Sequence, residues 1–517
     1  MKLMKLMKKV TKKAKKRPSD VCSKPKCSSS SRSREVKPWH KPVAGPEQPN
    51  WAHHFVDTLH APLLNLKTKF GDGAKLVIWS DCAGKCTEKY ASQVLVDELG
   101  KTLGIDIKFK LHAASDAARH CRDFVNCNFA PVHFTDDIFR RDFEAATFEC
   151  TKCDTACSLP KAGVDIYWCC FPCGPWSKRG KRLGLADRHA TVCWQTIKSI
   201  HHMQPVMFVM ENVMDICHPS GEATESDMTV IQDYMKKRLG DSYETVTINN
   251  SSPIHHGYPM ERTRVLVIGS RNDQVHGTVL QNIFSKLIDT PRAVENTYWT
   301  LLGMQGLADE VLNSVGQLPI PSAAVMIQSS GCKCGVDPMI ECPQHPCLCD
   351  KCTKQGKRLE CTWRARAVAF IADTGLQWTA ADGCVTYIQA LELAQQKAPC
   401  SARERNLLNI FARQPAAQPL RSTRMIFDLS QAIDRCRPKY DGTVPTMATN
   451  ATMWSMRAGR ALNVSEMAKL MGQDLGEADL RFTTEYQMRH MLGMSMHVAT
   501  AGFALTGLLA AFGAANQ

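Results

Sequence analysis

Several things are scarce in this chain, and each scarcity excludes something. The start, MKLMKLMKKVTKKAKKR, never builds a continuous apolar stretch, so no cleavable secretory signal is expected there. Long apolar runs are nearly missing. The one candidate, Val498 to Phe512, is rich in Ala, Gly and Thr and short for a bilayer crossing, so a buried terminal helix is expected and no membrane partner. Acidic residues are scarce at the N-terminus: residues 1–41 hold 15 basic and two acidic residues, +13 of the net +14 of all 517 residues. The remainder is close to neutral, which excludes a uniformly basic nucleic-acid coat and leaves a strongly basic arm on a neutral body.

What is present is a globular composition, 44% apolar and 22% charged, long enough for two to four packed units. There are 24 Cys. With no export signal, they read as nucleophiles or metal ligands rather than a disulfide scaffold. The arm, with blocks from Lys8 to Arg17 and then Lys24, Lys26, Arg32 and Arg34, fits a nuclear address, a nucleic-acid anchor, a transit peptide or a solubilising segment. Ser28 to Ser31 and Ser33 lie among these charges, where phosphorylation would weaken a polyanion contact.

From about residue 73 short apolar runs end in small or polar turns. Leu76–Trp79 opens into Ser80-Asp81-Cys82-Ala83-Gly84. Ile105–Ala114 ends at Ser115-Asp116, Asp165–Cys170 runs into Phe171-Pro172-Cys173-Gly174-Pro175, and Val206–Met210 ends at Glu211-Asn212; Arg264–Gly269 is a fifth run. Helical stretches fall between some of them, at Glu88–Leu99, Ala190–His202 and Ser226–Leu239. Apolar strands alternating with helices predict a mostly parallel α/β sheet covered on both faces, with ligands beyond the carboxyl ends of the strands. Residues 273–440 are irregular and include helix-like Thr386–Gln396 and Arg403–Phe411, and 441–517 returns to helix. The expected division is a basic disordered tail (1–60), an α/β domain (61–272), a second region inserted late in it (273–440) and a C-terminal part completing the first domain (441–517).

The chemistry-bearing residues cluster at the strand ends. Cys173 sits on a Pro/Gly-fixed turn, where a thiol that ionises attacks an electrophilic carbon and one that does not is an inert buried thiol. Glu211, just past a strand, serves as a proton donor or acceptor or else as a cap or ion-pair residue. Arg262 and Arg264 are two apart, so in an extended chain they share a side, facing a nucleotide or simply solvent. Lys178, Arg179, Lys181 and Arg182 follow the Cys173 turn and suit a phosphate backbone. Farther on, Cys332, Cys334, Cys342, Cys347, Cys349, Cys352 and Cys361 crowd a basic segment with His345, where one or two zinc centres compete with free thiols in a loop. Cys150, Cys153 and Cys157 form a smaller, weaker metal candidate.

Taken in order, these segments resemble the S-adenosylmethionine-dependent DNA cytosine-5 methyltransferase family, from about 76 to 271 and again from about 440 to 505. Ser80 to Cys86 resembles Asp-Leu-Phe-Ala-Gly-x-Gly, with Cys82 in place of Phe and Cys86 in place of Gly. Phe171 to Ser177, followed by Gly180 to Gly184, resembles Phe-Pro-Cys-Gln-x-Phe-Ser and Gly-x-x-x-Gly, with Gly174 in place of Gln. Phe208 to Val213 matches the Glu-Asn-Val block. Gly257 to Arg264 resembles Gly-x-Pro-Gln-x-Arg-x-Arg, and Gly493-Met494-Ser495-Met496 resembles Gly-Asn-Ala-Val.

The resemblance implies a class I methyltransferase fold, an α/β, Rossmann-like, mostly parallel sheet, with an inserted target-recognition domain in which the Cys-rich segment offers zinc ligands. It implies DNA (cytosine-5-)-methyltransferase activity. Cys173 would be the nucleophile at cytosine C6, Glu211 would contact N3, and Arg262 and Arg264 would orient a base flipped out of double-stranded DNA. Asp81, Cys82, Ala83, Gly84, Asp116, Asp137, Ile138, Pro172, Met494 and Ser495 would hold S-adenosyl-L-methionine, with Zn2+ a second candidate cofactor. The nucleus is the expected location. A tRNA cytosine-5 methyltransferase and an inactive nucleic-acid-binding protein are the alternatives, the latter supported by the departures at Cys82, Cys86, Gly174, Met260 and Met494.

Overall fold

A computed structural model of the protein describes residues 48–304 and 425–515, apart from 72, 179, 220–223, 437, 459 and 477, together with Leu407 and Phe411. The cysteines from 332 to 361 and the helices expected at 386–396 and 403–411 lie outside the described residues, Leu407 and Phe411 aside.

Ten strands fill the first half: β1 (Ala74–Asp81), β2 (Ile107–Ser115), β3 (His133–Thr135), β4 (Arg141–Asp142), β5 (Thr147–Cys150), β6 (Thr155–Ser158), β7 (Ile166–Cys169), β8 (Met207–Val213), β9 (Tyr243–Ser251) and β10 (Arg264–Arg271). Seven of them make one sheet in the order β3-β2-β1-β7-β8-β10-β9. All pairings are parallel except those of β10, which runs antiparallel to both β8 and β9. This is the class I methyltransferase arrangement expected from the resemblance, a parallel sheet with one reversed strand near its edge. Strand β9 has no counterpart in the sequence reading because its pattern, YETVTINNS, is mostly polar and half-exposed.

Alternation along each strand divides the core into two layers. Ile78, Ile166, Trp168, Val209, Leu266 and Ile268 face one side. Trp79, Tyr167, Cys169, Phe208, Met210, Val265 and Val267 face the other. This period of two on a sheet buried on both faces explains why the strands read as unbroken apolar runs. The first layer is closed by helices α1 (Trp51–Thr58), α2 (Thr87–Leu103), α3 (Gly277–Asp289) and the C-terminal α4 (Val498–Ala514). The second is closed by helices Thr191–Met203 and Asp227–Leu239. Helix starts follow local chemistry: Ser226 accepts from the Thr229 amide, and Asn463 with Glu466 forms a reciprocal capping box.

Two boundaries move. Trp51 and Phe55 are buried in the core, so packed structure begins before residue 60 and the tail expected over 1–60 is shorter. Helix α3 packs in the same layer, so the catalytic fold runs past 272. Helix α4 is buried along almost its whole length. A Cβ added at Gly502 would lie 2.1 Å from the Trp51 ring, so this apolar stretch is a core element. Among the described residues no single helix is long and apolar enough to cross a membrane.

Candidate active site

Strands β1, β2, β7 and β8 end at one edge of the sheet. Because β10 is reversed, its first residue, Arg264, lies at that same edge, opposite Val213. Glu211 pairs with Leu266 in this register, so Glu211 and Arg264 are diagonal neighbours on one face, and Arg264 Nε donates to Glu211 Oε1 at 2.7 Å. Strand β8 continues through Glu211 to Val213 instead of ending before it. The carboxyl group is therefore held by the rigid sheet rather than by a turn.

The Cys173 turn is braced at several points. Asn212 Nδ2 donates to the Phe171 carbonyl at 2.9 Å, tying the turn to β8. The amides of Trp176 and Ser177 donate to the Cys173 carbonyl at 3.0 and 2.9 Å. Trp176 stacks edge-on against Phe171. Asp227, at the first turn of its helix, accepts from Trp176 Nε1 at 2.8 Å and from the Leu185 amide at 3.0 Å, so one carboxylate oxygen grips both ends of the basic loop. Sequence reading missed Asn212 and Asp227: the first was quoted only as part of a motif, and the second lies 42 and 51 residues from the two loop residues it holds. Within the loop, Lys178, Lys181 and Arg182 are exposed, and Arg179 lies outside the described residues. Gly180 folds back so closely that a Cβ there would sit 1.8 Å from the Gly174 carbonyl oxygen.

Burial pushes the Cys173 thiol above its ordinary pKa. Arg264 and, less strongly, Arg262 pull it down, while Glu211 adds to the rise. The resting thiol is therefore mostly protonated at neutral pH, and positive charge beside it is what favours the nucleophilic thiolate.

Arg262 does not join this group as a base-binding residue. It is 1% exposed, and its guanidinium donates to the carbonyls of Met447 (2.7 Å), Gly493 (2.8 Å) and Ser495 (2.5 Å). The expectation that both arginines face a nucleotide is corrected. Arg262 precedes β10 in an irregular segment, so the extended i, i+2 geometry does not apply. Its work is to fasten the 447 and 493–495 segments to the start of β10. Ser495 donates its hydroxyl to the Leu492 carbonyl, and Met494 is 36% exposed.

The other expected cofactor residues divide into two groups. Cys82, Gly84 and Cys86 all take left-handed backbone angles (φ 51°, 55° and 54°), so the loop after β1 keeps a glycine-type path at Cys82 and Cys86. The Ala83 amide donates to the Ser115 carbonyl at 2.9 Å. Asp116 accepts from the amides of Gly84 and Ala118, both at 2.8 Å, and so joins the loop after β1 to the end of β2. A Cβ added at Gly84 would meet nothing within 4 Å, so the loop faces open space. A carboxylate retains lone pairs beyond the two in use here, and the loop and Asp116 together fit the ribose and methionine ends of S-adenosylmethionine. Asp137 is half-buried and caps the short helix after it by accepting from the Phe139 amide at 2.9 Å; Ile138 is buried behind it. Pro172 is half-buried in the catalytic turn.

Asp81 is the exception and a second correction. It is fully buried, accepts two bonds from Arg141 and takes further ones from Tyr167 and Ser115 (2.7 Å). Burial alone would raise its pKa, but Arg141 and the hydroxyl donors outweigh it and hold the carboxyl below its usual range. It belongs to the core, not to the cofactor edge. Ser80 occupies the position of the family's acidic residue one step earlier and is buried as well. Lys85 also turns inward, donating to Gln473, and burial lowers its pKa well below the ordinary lysine value.

Residues 104–313 match the family of C-5 cytosine-specific DNA methylases. That match shows the resemblance drawn from the motif order. Among curated relatives, the Type II methyltransferase M.PspPI of Psychrobacter sp. (strain TA137) is 32% identical over 111 residues, 21% of this chain and 25% of that protein. The Type II methyltransferase M.AquIA of Picosynechococcus sp. is 25% identical over 211 residues, 38% of this chain and 84% of that protein. The chain thus spans about a quarter of the first relative's length. A solved structure of a DNA modification methyltransferase encoded within an E. coli prophage is 14% identical, with a TM-score of 0.42, covering 84% of this chain and 98% of that one.

Proposed function

We propose that the chain is a DNA cytosine-5 methyltransferase that acts through a covalent bond between Cys173 and cytosine C6. The observation that carries this reading is the convergence of Cys173, Glu211 and Arg264 at one strand edge, beside the open glycine turn of the cofactor loop.

The intact cytosine ring is a poor carbon nucleophile at C5. The Cys173 thiolate adds to C6, and the electron pair of the C5–C6 double bond moves into the ring. Glu211 brings a proton to N3, where negative charge develops, and accepts a hydrogen bond from the amino group, while Arg264 orients Glu211 and favours the thiolate. Cys82 to Gly84, Asp116, Asp137 and Ile138 would hold S-adenosylmethionine, whose sulfonium would supply an electrophilic methyl group to C5 and leave as the neutral thioether. Removal of the C5 proton and departure of the Cys173 sulfur restore the aromatic ring. The sulfur must approach a ring face, so a duplex cytosine has to leave the stack. Lys178, Lys181 and Arg182 are exposed beside the turn and suit backbone phosphates. The blocks of Lys and Arg in the N-terminal arm support nuclear import. A fluorescent fusion with and without residues 1–41 tests that part, with loss of nuclear signal on deletion expected.

The central test is transfer of labelled methyl from S-adenosylmethionine to duplex DNA and, in parallel, to total tRNA, with Cys173→Ala as control. Label in DNA that vanishes in the variant is expected. Label in tRNA alone would replace the DNA reading, and no label in either would overturn the enzymatic one.

A further inference from the structure

The hairpin between β3 and β7 plays no part in the chemistry above, yet it gathers four soft ligands. Cys150 ends β5, Cys153 lies in the turn, Cys157 is on β6, and His133 opens β3. In the β5–β6 register Cys150 lies opposite Thr155 and Phe148 opposite Cys157. Alternation therefore puts Cys150 and Cys157 on the same face, one diagonal step apart. Cys153 follows at a two-residue spacing, and Asp154 next to it takes φ 56°, turning the chain back sharply. The turn is anchored to β3 by Thr151, whose amide and hydroxyl both donate to the Phe134 carbonyl, at 2.7 and 3.0 Å. His133 precedes Phe134, so the same anchor delivers its ring.

The four ligand atoms all lie within 4.8 Å of one another. Cys153 Sγ is 3.4 Å and Cys150 Sγ 3.7 Å from His133 Nδ1. Tetrahedral zinc with ordinary Zn–S and Zn–N bonds needs ligand–ligand separations of roughly 3.5–3.8 Å. The two His133 distances match tetrahedron edges, and no other ligand pair is farther apart than 4.8 Å. All three cysteines are free thiols.

We infer that His133, Cys150, Cys153 and Cys157 form a structural Cys3His zinc site that fastens the β5–β6 hairpin to β3. One further contact agrees with it. The Cys153 amide donates to Cys150 Sγ at 3.4 Å, the amide-to-sulfur bond that supports a bound thiolate. The site would brace the adenosine side of the sheet, since Thr135 on β3 accepts the Asp116 amide at 3.2 Å. Sequence reading had the three cysteines but not the histidine, which lies 17 residues before Cys150 and joins them only through strand pairing.

The test is residue-resolved thiol alkylation of the full-length protein. The protein is stripped by a strong chelator, then labelled with iodoacetamide with and without one equivalent of zinc, and mapped by mass spectrometry. Protection of Cys150, Cys153 and Cys157 together by zinc is expected, whatever happens at 332–361. A His133→Cys variant should keep that protection. With cobalt in place of zinc it should also gain sulfur-to-metal charge-transfer absorption over the wild type. Equal labelling of the three cysteines with and without zinc, or zinc protection with unchanged cobalt absorption in His133→Cys, would overturn the four-ligand site.

Discussion

Two arginine–carboxylate pairs have their carboxylates on the same seven-stranded sheet, and their contrast explains much of the molecule. Arg141–Asp81 is wholly enclosed, with Tyr167 and Ser115 supplying further hydrogen bonds. Arg264–Glu211 lies at the strand edge, with the Cys173 thiol as its neighbour. The first pair connects the β4 segment to β1. The second leaves a carboxyl and a cation beside a nucleophile. The same two functional groups are structural in one case and proposed to be catalytic in the other, and the difference is what each can reach.

The comparison can be broken by exchanging consequences. Glu211→Gln should lower methyl transfer by about 10²–10⁴-fold while costing less stability than loss of the core pair. Transfer within about threefold of wild type would mean that the edge pair is only structural. Asp81→Asn should cost about 3–5 kcal/mol in denaturant unfolding, because it leaves Arg141 charged and enclosed. The pH dependence has a definite sign. Asp81 has a folded pKa below its unfolded value of about 3.9, so its contribution is complete above roughly pH 5 and is lost as pH falls through the folded value. Stability of the variant should therefore fall less steeply than that of the wild type as pH drops below about 4; parallel acid titrations would show Asp81 to be unshifted.

A smaller effect sharpens the role of Arg264. It is the largest influence lowering the Cys173 pKa, so Arg264→Met should move the pH profile of Cys173 alkylation upward. An unmoved profile would remove Arg264 from thiol activation. The smallest effect is expected at Gly174, which is exposed and has open space at its Cβ position. Gly174→Gln, restoring the family's usual residue, should change stability by no more than about 0.5 kcal/mol, and a larger loss would show that the turn is closed there.

The residues explain how much could be read in advance. Strands β1, β7, β8 and β10 were legible because strands buried on both faces are largely apolar, and β2, with Lys108 and Lys110 exposed, was legible from its remaining apolar positions. Polar, half-exposed β9 was not. The grouping of Cys173, Glu211 and Arg264 was legible because each adjoins a strand end at the same edge of the sheet. Arg262 and Asp81 were misassigned for one reason: a charged residue beside a motif looks functional, and only the fold shows that three carbonyls enclose the first and Arg141 the second. Asp227 and His133 were invisible for the opposite reason, since their partners are distant in sequence and brought close by helix packing and strand pairing.

The most direct test of the catalytic account uses duplex DNA carrying 5-fluorocytosine, in the presence of S-adenosylmethionine. Fluorine at C5 cannot leave as the proton does, so the reaction should stop with the protein still bonded to C6. The account predicts a denaturation-resistant protein–DNA adduct that maps to the peptide containing Cys173 and is absent from Cys173→Ala. No adduct, or an adduct that persists in that variant, would contradict it.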